Sequence, residues 1–122
     1  MIQFDKTDER LEAERADILK KLQENGSEET LWEAIVLFAG YPFRTFKNLE
    51  FQYTVSGGEI FIDRKQKSKS ITKSTVLMAY AIAKRVMGEV GYVKGPKKLE
   101  TFGASYLYPM FSHFGIIKTK EE

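Results

Sequence analysis

The sequence predicts an α+β fold: two N-terminal helices, a central antiparallel β-hairpin, a third helix and a short aromatic C-terminal helix. Apolar residues recur at helical spacing over 11–22 and again over 76–86. Between these stretches Leu49, Phe51, Tyr53 and Val55 alternate with Glu50, Gln52 and Thr54, the period of a half-buried strand. Ser56-Gly57-Gly58 supplies the positive φ of a tight turn, and Glu59-Ile60-Phe61-Ile62-Asp63 returns as the partner strand. At 122 residues, with 43% apolar and 30% charged residues, the chain reads as one domain, 1–122, able to bury a core without cross-links.

The elements follow in order. Asp5 or Thr7 caps a first helix, and Asp8 and Glu9 lie in its first turn, where the helix dipole favours anions. Leu11, Ile18, Leu19 and Leu22 form a narrow apolar stripe under a highly charged outer face, and Asn25-Gly26 stops the helix. This acidic segment, 1–26, is expected at the domain edge. Its heptads are not sustained over the roughly three or four repeats a coiled coil needs, although a homodimer through it stays open. Ser27 caps a second helix, apolar nearly all round from Leu31 to Ala39, which Gly40 and Pro42 end. It is expected to be the central buried helix, with Trp32 in the core.

A third helix starts near Ser74, capped by Thr72 or Ser74, with Val76, Leu77, Ala79, Tyr80, Ala83 and Val86 as its apolar stripe. Gly88 and Gly91 close it, and Tyr92-Val93 is a candidate short strand. Lys94-Gly95-Pro96-Lys97-Lys98 reads as a basic turn. Phe102, Tyr106 and Met110 are spaced by four and predict a final helix that Pro109 must kink or restart. Gly115 ends that helix, Ile116-Ile117 is a second candidate short strand, and 118–122 is expected to fray.

The chain has no cysteine, which removes disulfides, thiolate metal sites and cysteine nucleophiles and suits a reducing cytoplasm. Met1-Ile2-Gln3-Phe4-Asp5 lacks the features of a secretory signal, and no apolar run approaches the roughly 18 residues of a membrane span. Net charge is only +2, yet it is unevenly spread. Residues 1–34 hold five Lys/Arg against ten Asp/Glu, whereas 44–98 hold twelve against four. Such asymmetry points to nucleic acid or an acidic partner, with a merely solvated face as the plain alternative.

Arg64, Lys65, Lys67, Lys69 and Lys73, laced with Gln66, Ser68, Ser70, Thr72 and Ser74, read as a basic loop between hairpin and third helix. There the basic side chains would grip phosphates, while Ser70, Thr72, Ser74 and Thr75 make polar contacts at the helix N-terminus. Lys94, Lys97 and Lys98 would add a second contact. Aromatic and basic residues also interleave in Tyr41-Pro42-Phe43-Arg44-Thr45-Phe46-Lys47, a pattern that serves either base stacking or inward-tucked rings. Phe43 and Phe46 are expected to turn inward, with Arg44 and Lys47 left open.

Ser70-Ile71-Thr72-Lys73-Ser74-Thr75-Val76, followed by Ala79, Tyr80 and Ala83, resembles the opening of a recognition helix in helix-turn-helix transcription factors. In that resemblance, 70–83 would approach phosphates and base edges, and 91–98 would act as a wing reaching for the backbone. It covers about a fifth of the chain.

The leading expectation is a small, non-enzymatic nucleic-acid-binding accessory or regulatory protein, with DNA favoured over RNA. A second is a protein-interaction module, an inhibitor or adaptor of the kind a mobile element encodes, whose basic face meets an acidic partner. A third is a metal-dependent nuclease around Glu50, Asp63 and Lys65, with carboxylates holding Mg²⁺ beside a lysine. No cofactor is implied. His113 is the sole histidine, which argues against zinc, and Gly88, Gly91 and Gly95 fit no phosphate-loop fingerprint.

Overall fold

The computed structural model describes residues 6–63 and 69–119. Helix α1 is Lys6–Asn25 and α2 is Glu28–Leu37. The strands are β1 Phe43–Arg44, β2 Glu50–Phe51, β3 Tyr53–Ser56, β4 Glu59–Ile62 and β5 Lys69–Thr72. Helix α3 is Lys73–Glu89, a 3-10 turn covers Pro96–Leu99, and α4 is Ala104–His113. The expected α+β order is present, with more strand than one hairpin.

Strands β3, β4 and β5 form an antiparallel meander. Tyr53 pairs with Ile62, Val55 with Ile60 and Ser56 with Glu59, across a two-residue turn in which Gly57 and Gly58 have φ of 59° and 77°. Only glycine takes two such consecutive values without steric cost. One face buries Tyr53, Ile60, Ile62 and Ile71, while Thr54 and Phe61 face out, as a period-two pattern requires. Strand β5 corrects the expectation of a continuous basic loop. Ile71 pairs with Ile60 and is fully buried, and Ser70 opposite Phe61 extends the ladder. One inward isoleucine between two hydroxyl residues is too brief a pattern to read as a strand without the β4 edge that pairs with it.

The expected strand running from Leu49 is also divided. Phe51 pairs back to Phe43 of β1, whereas Tyr53 pairs forward to β4. Gln52 lies at the changeover, its carbonyl accepting from the Asp63 N–H at 2.9 Å. Leu49, expected inside, is 49% exposed. The candidate strands at Tyr92-Val93 and Ile116-Ile117 do not form. A single bond from the Val93 N–H to the Lys118 carbonyl, 2.8 Å, joins the two segments instead.

The helices close the core over the sheet. Helix α2 begins as expected, with Ser27 Oγ accepting from the Thr30 N–H at 3.1 Å and Glu28 and Glu29 in the first turn. It buries Leu31, Ala34 and Ile35, and Phe38 at its C-cap, but leaves Val36 exposed and Trp32 half-buried. The α2 helix is therefore less enclosed than its composition suggests, because α1 lies along only one flank and covers it with Ile18 and Leu22. Helix α3 turns Val76, Ala79, Tyr80 and Ala83 inward, and α4 turns Leu107, Tyr108, Met110 and Phe111 inward. Pro109 sits inside α4 without ending it.

Candidate nucleic-acid interface

Strands β1 and β2 form a small hairpin that the sequence did not announce. Thr45 N–H donates to the Leu49 carbonyl at 2.9 Å, Asn48 N–H to the Thr45 carbonyl at 2.8 Å, and Leu49 N–H to Thr45 Oγ1 at 3.1 Å. Asn48 has φ 67°, the left-handed conformation that asparagine tolerates better than most side chains. A three-residue loop ending in such a residue is a common hairpin connection. Phe46 and Lys47 therefore stand at a fixed tip. Phe46 was expected inside, but it is 67% exposed. Phe43, three residues earlier in β1, is buried as expected and stacks on Phe51 at 5.7 Å.

The segment facing this tip is held just as firmly. The Val93 carbonyl accepts from Tyr108 Oη at 2.8 Å, and the Tyr108 ring meets Phe46 at 6.1 Å and 75°. One residue of α4 thus braces both walls. Pro96 opens the 3-10 turn with its fixed φ, and fully buried Leu99 anchors it. Because Leu99 takes the inward position, Lys97 and Lys98 remain exposed.

Between the walls lies a groove of about 590 Å³. Phe46, Leu49, Pro96 and Tyr106 give it apolar surface, and Lys47, Lys94, Lys97 and Lys98 bring cations to it. Among the described residues no acidic residue lines it. The ion pairs among the described residues are Lys21–Asp17, Arg44–Glu50 and Arg85–Glu89, none involving these lysines. A second depression of about 370 Å³ shares Thr45 and Phe46 with the first and is bordered by Arg44, Ser112 and His113. Arg44 is partly engaged there, donating to the Asn48 carbonyl at 3.2 Å and to Glu50 Oε1 at 3.4 Å. Burial against neighbouring rings lowers the His113 pKa below its usual value, so the imidazole is neutral at pH 7.

The other expected residues are dispersed. Arg64, Lys65 and Lys67 lie outside the described residues, and Lys69 opens β5 opposite Ile62. Lys73 is the first residue of α3, with Nζ 5.3 Å above the Trp32 ring. Thr72 is the N-cap, its Oγ1 accepting from the Thr75 N–H at 3.3 Å. Ser74 Oγ lies 3.3 Å from Thr72 Oγ1, and Thr72 Oγ1 donates to Thr75 Oγ1 at 3.0 Å. These hydroxyls therefore serve the cap as well as facing solvent. No residue of α3 lines the groove, so Lys94, Lys97 and Lys98 are gathered with Lys47 rather than with Lys73, Ser74 and Thr75.

Of the residues read for metal chemistry, Glu50 pairs with Arg44, Asp63 is exposed just past β4, and Lys65 lies outside the described residues. Among the described residues no group of three or more His, Asp or Glu gathers to hold a metal ion. Among the same residues, no helix is long and apolar enough to cross a membrane.

From the sequence Phe46 and Leu49 read as inward-facing and Lys47 as open, so their meeting in one groove was not legible. Its available signal was Thr45 and Asn48 flanking two residues between short aromatic-bearing strands, a turn signature weaker than the double glycine at 57–58. Comparison of the chain with known protein families, with curated proteins and with solved structures gives no match.

Proposed function

We propose that this protein is a non-enzymatic nucleic-acid-binding accessory or regulatory protein of a reducing cytoplasm. The observation that carries the reading is the groove itself: four lysines around apolar surface, with no acid lining it among the described residues. Like charges gathered on one exposed surface raise the local positive potential of the free protein. An incoming polyanion is drawn to that potential and releases its own condensed cations on binding. In this reading Lys47, Lys94, Lys97 and Lys98 form the main phosphate grip. Arg64, Lys65, Lys67, Lys69 and Lys73, with Ser74 and Thr75, supply a second contact, and the resemblance to recognition helices bears on that first turn of α3. The helix to be presented begins at Lys73, since Ser70, Ile71 and Thr72 belong to β5.

The test is fluorescence anisotropy of labelled duplex DNA, single-stranded DNA and RNA at several salt concentrations. The four groove lysines alone predict a log–log slope of about −3 to −4, and the second contact steepens it further. The pair Lys97→Glu and Lys98→Glu, both exposed and free of ion pairs among the described residues, should weaken binding at least about tenfold and flatten that slope by roughly 2. Unchanged binding in the double variant would remove the groove from the interface. No binding to any of the three polymers at low salt would reject the nucleic-acid reading and favour an acidic protein partner.

A further inference from the structure

We infer that the groove takes single-stranded nucleic acid, with an unstacked base lying against Phe46 at the tip of the β1–β2 hairpin. This rests on the nucleic-acid reading above and specifies the polymer and its mode of contact. The first support is that the exposure of Phe46 is built in. Three hydrogen bonds between Thr45, Asn48 and Leu49 fix the loop, and Asn48 adopts the left-handed conformation that closes it. The ring is 67% exposed on a pinned backbone, so its position is set by the turn rather than by fraying.

The second support is what surrounds the ring. Phe46 stands between the two depressions, of about 590 and 370 Å³, and lines both. Lysines border one and Arg44, which also pairs with Glu50, the other, and among the described residues no acid lines either. That order, cation, aromatic ridge, cation, matches the alternation of phosphate and base along a single strand. A duplex keeps its bases stacked inside and offers a protruding ring mainly sugar and phosphate. A single strand can splay a base onto the ring while its phosphates pass over Lys47 and Lys97. An acidic peptide satisfies the lysines equally well, but has no need of a flat π face over any other apolar side chain.

The experiment compares wild type, Phe46→Ala, Phe46→Leu and Phe46→Trp, with matched thermal melts. The probes are a labelled single strand of about 12 nucleotides, the same sequence as duplex, an abasic strand of equal charge, and poly-glutamate. The expected result is tighter binding of the single strand than of duplex, abasic strand or poly-glutamate. Phe46→Ala and Phe46→Leu should both lose about 5- to 150-fold on the single strand and little on the abasic one, while Phe46→Trp retains binding. Equal affinity for single strand and duplex, with no effect of Phe46→Ala, overturns this inference but leaves the broader function standing. Full activity in Phe46→Leu overturns stacking in particular. Binding of poly-glutamate as tightly as of the single strand makes the groove a general polyanion site, and absence of nucleic-acid binding at low salt rejects both readings.

Discussion

Tyr53 is fully buried, and its hydroxyl meets the Ile35 carbonyl at 2.6 Å. That carbonyl lies in the last turn of α2, where intrahelical donors run out. The same bond therefore removes two polar liabilities, a phenol in the core and an orphan helix acceptor. Burial also pushes the Tyr53 phenol well above its usual pKa, so the donor proton is retained. Tyr53→Phe should lower stability by about 1–3 kcal/mol, read by urea unfolding with Trp32 fluorescence as the probe. A loss near zero would mean that the carbonyl finds water or another donor. Phe46 shows the opposite balance: its exposed ring adds little to the core.

At the scale of elements, the chain ends of helices are where distant segments are tied together. The C-terminus of α2 is closed by Arg15 of α1, whose Nε donates to the Leu37 carbonyl at 2.7 Å and whose Nη2 reaches the Ala39 carbonyl at 3.3 Å. Its guanidinium also lies 5.1 Å from the Phe38 ring centroid. Helix α4 ends with Gly115 at φ 82°, while the Gly115 N–H bonds to the Ser112 carbonyl at 3.1 Å and the Ile116 N–H to the Phe111 carbonyl at 3.0 Å. This is the paired-bond Schellman ending. Gln23 of α1 packs over the same glycine and donates to the Phe114 carbonyl at 2.9 Å. Gly115→Ala would set a Cβ against the Gln23 side chain and force a left-handed alanine, at a cost of about 1–2 kcal/mol. Equilibrium unfolding checks this, and a variant as stable as wild type would show that the helix end can re-form without the left-handed residue.

For the whole molecule, the junction of α2, β1 and α4 is an aromatic cluster with His113 lying against its solvent side, its ring still exposed. His113 packs against Phe38, Tyr41 and Phe43 at centroid distances of 5.4, 4.9 and 5.6 Å. Partial burial there lowers its folded-state pKa below the unfolded value of 6.5. The folded state thus binds the proton less readily than the unfolded state. The stability this contributes is complete above about pH 6.5 and is lost as pH falls through the folded value. Melting temperature should fall between pH 7 and pH 5, and the fall should be smaller in His113→Gln. An identical pH profile in the variant would assign the acid sensitivity to carboxylates elsewhere.

Much of this organisation is local and was legible in order along the chain. Ser27 as a cap, Gly57-Gly58 as a turn, the inward set of α3 and the end of α4 at Gly115 follow from backbone conformations and periodicities that each segment carries within itself. The sequence by itself also determined that basic residues concentrate in 44–98. Tertiary structure alone decided which of them meet. Lys47 lines the same groove as Lys94, Lys97 and Lys98 because Tyr108 braces the hairpin tip against the Val93 segment, a contact between residues far apart in the chain. It likewise decided that Ile71 would join a strand and that Phe46 would stay outside. Periodicity can say that a residue has an apolar side chain, but whether that side chain is covered depends on a neighbouring edge or helix that only the folded chain supplies.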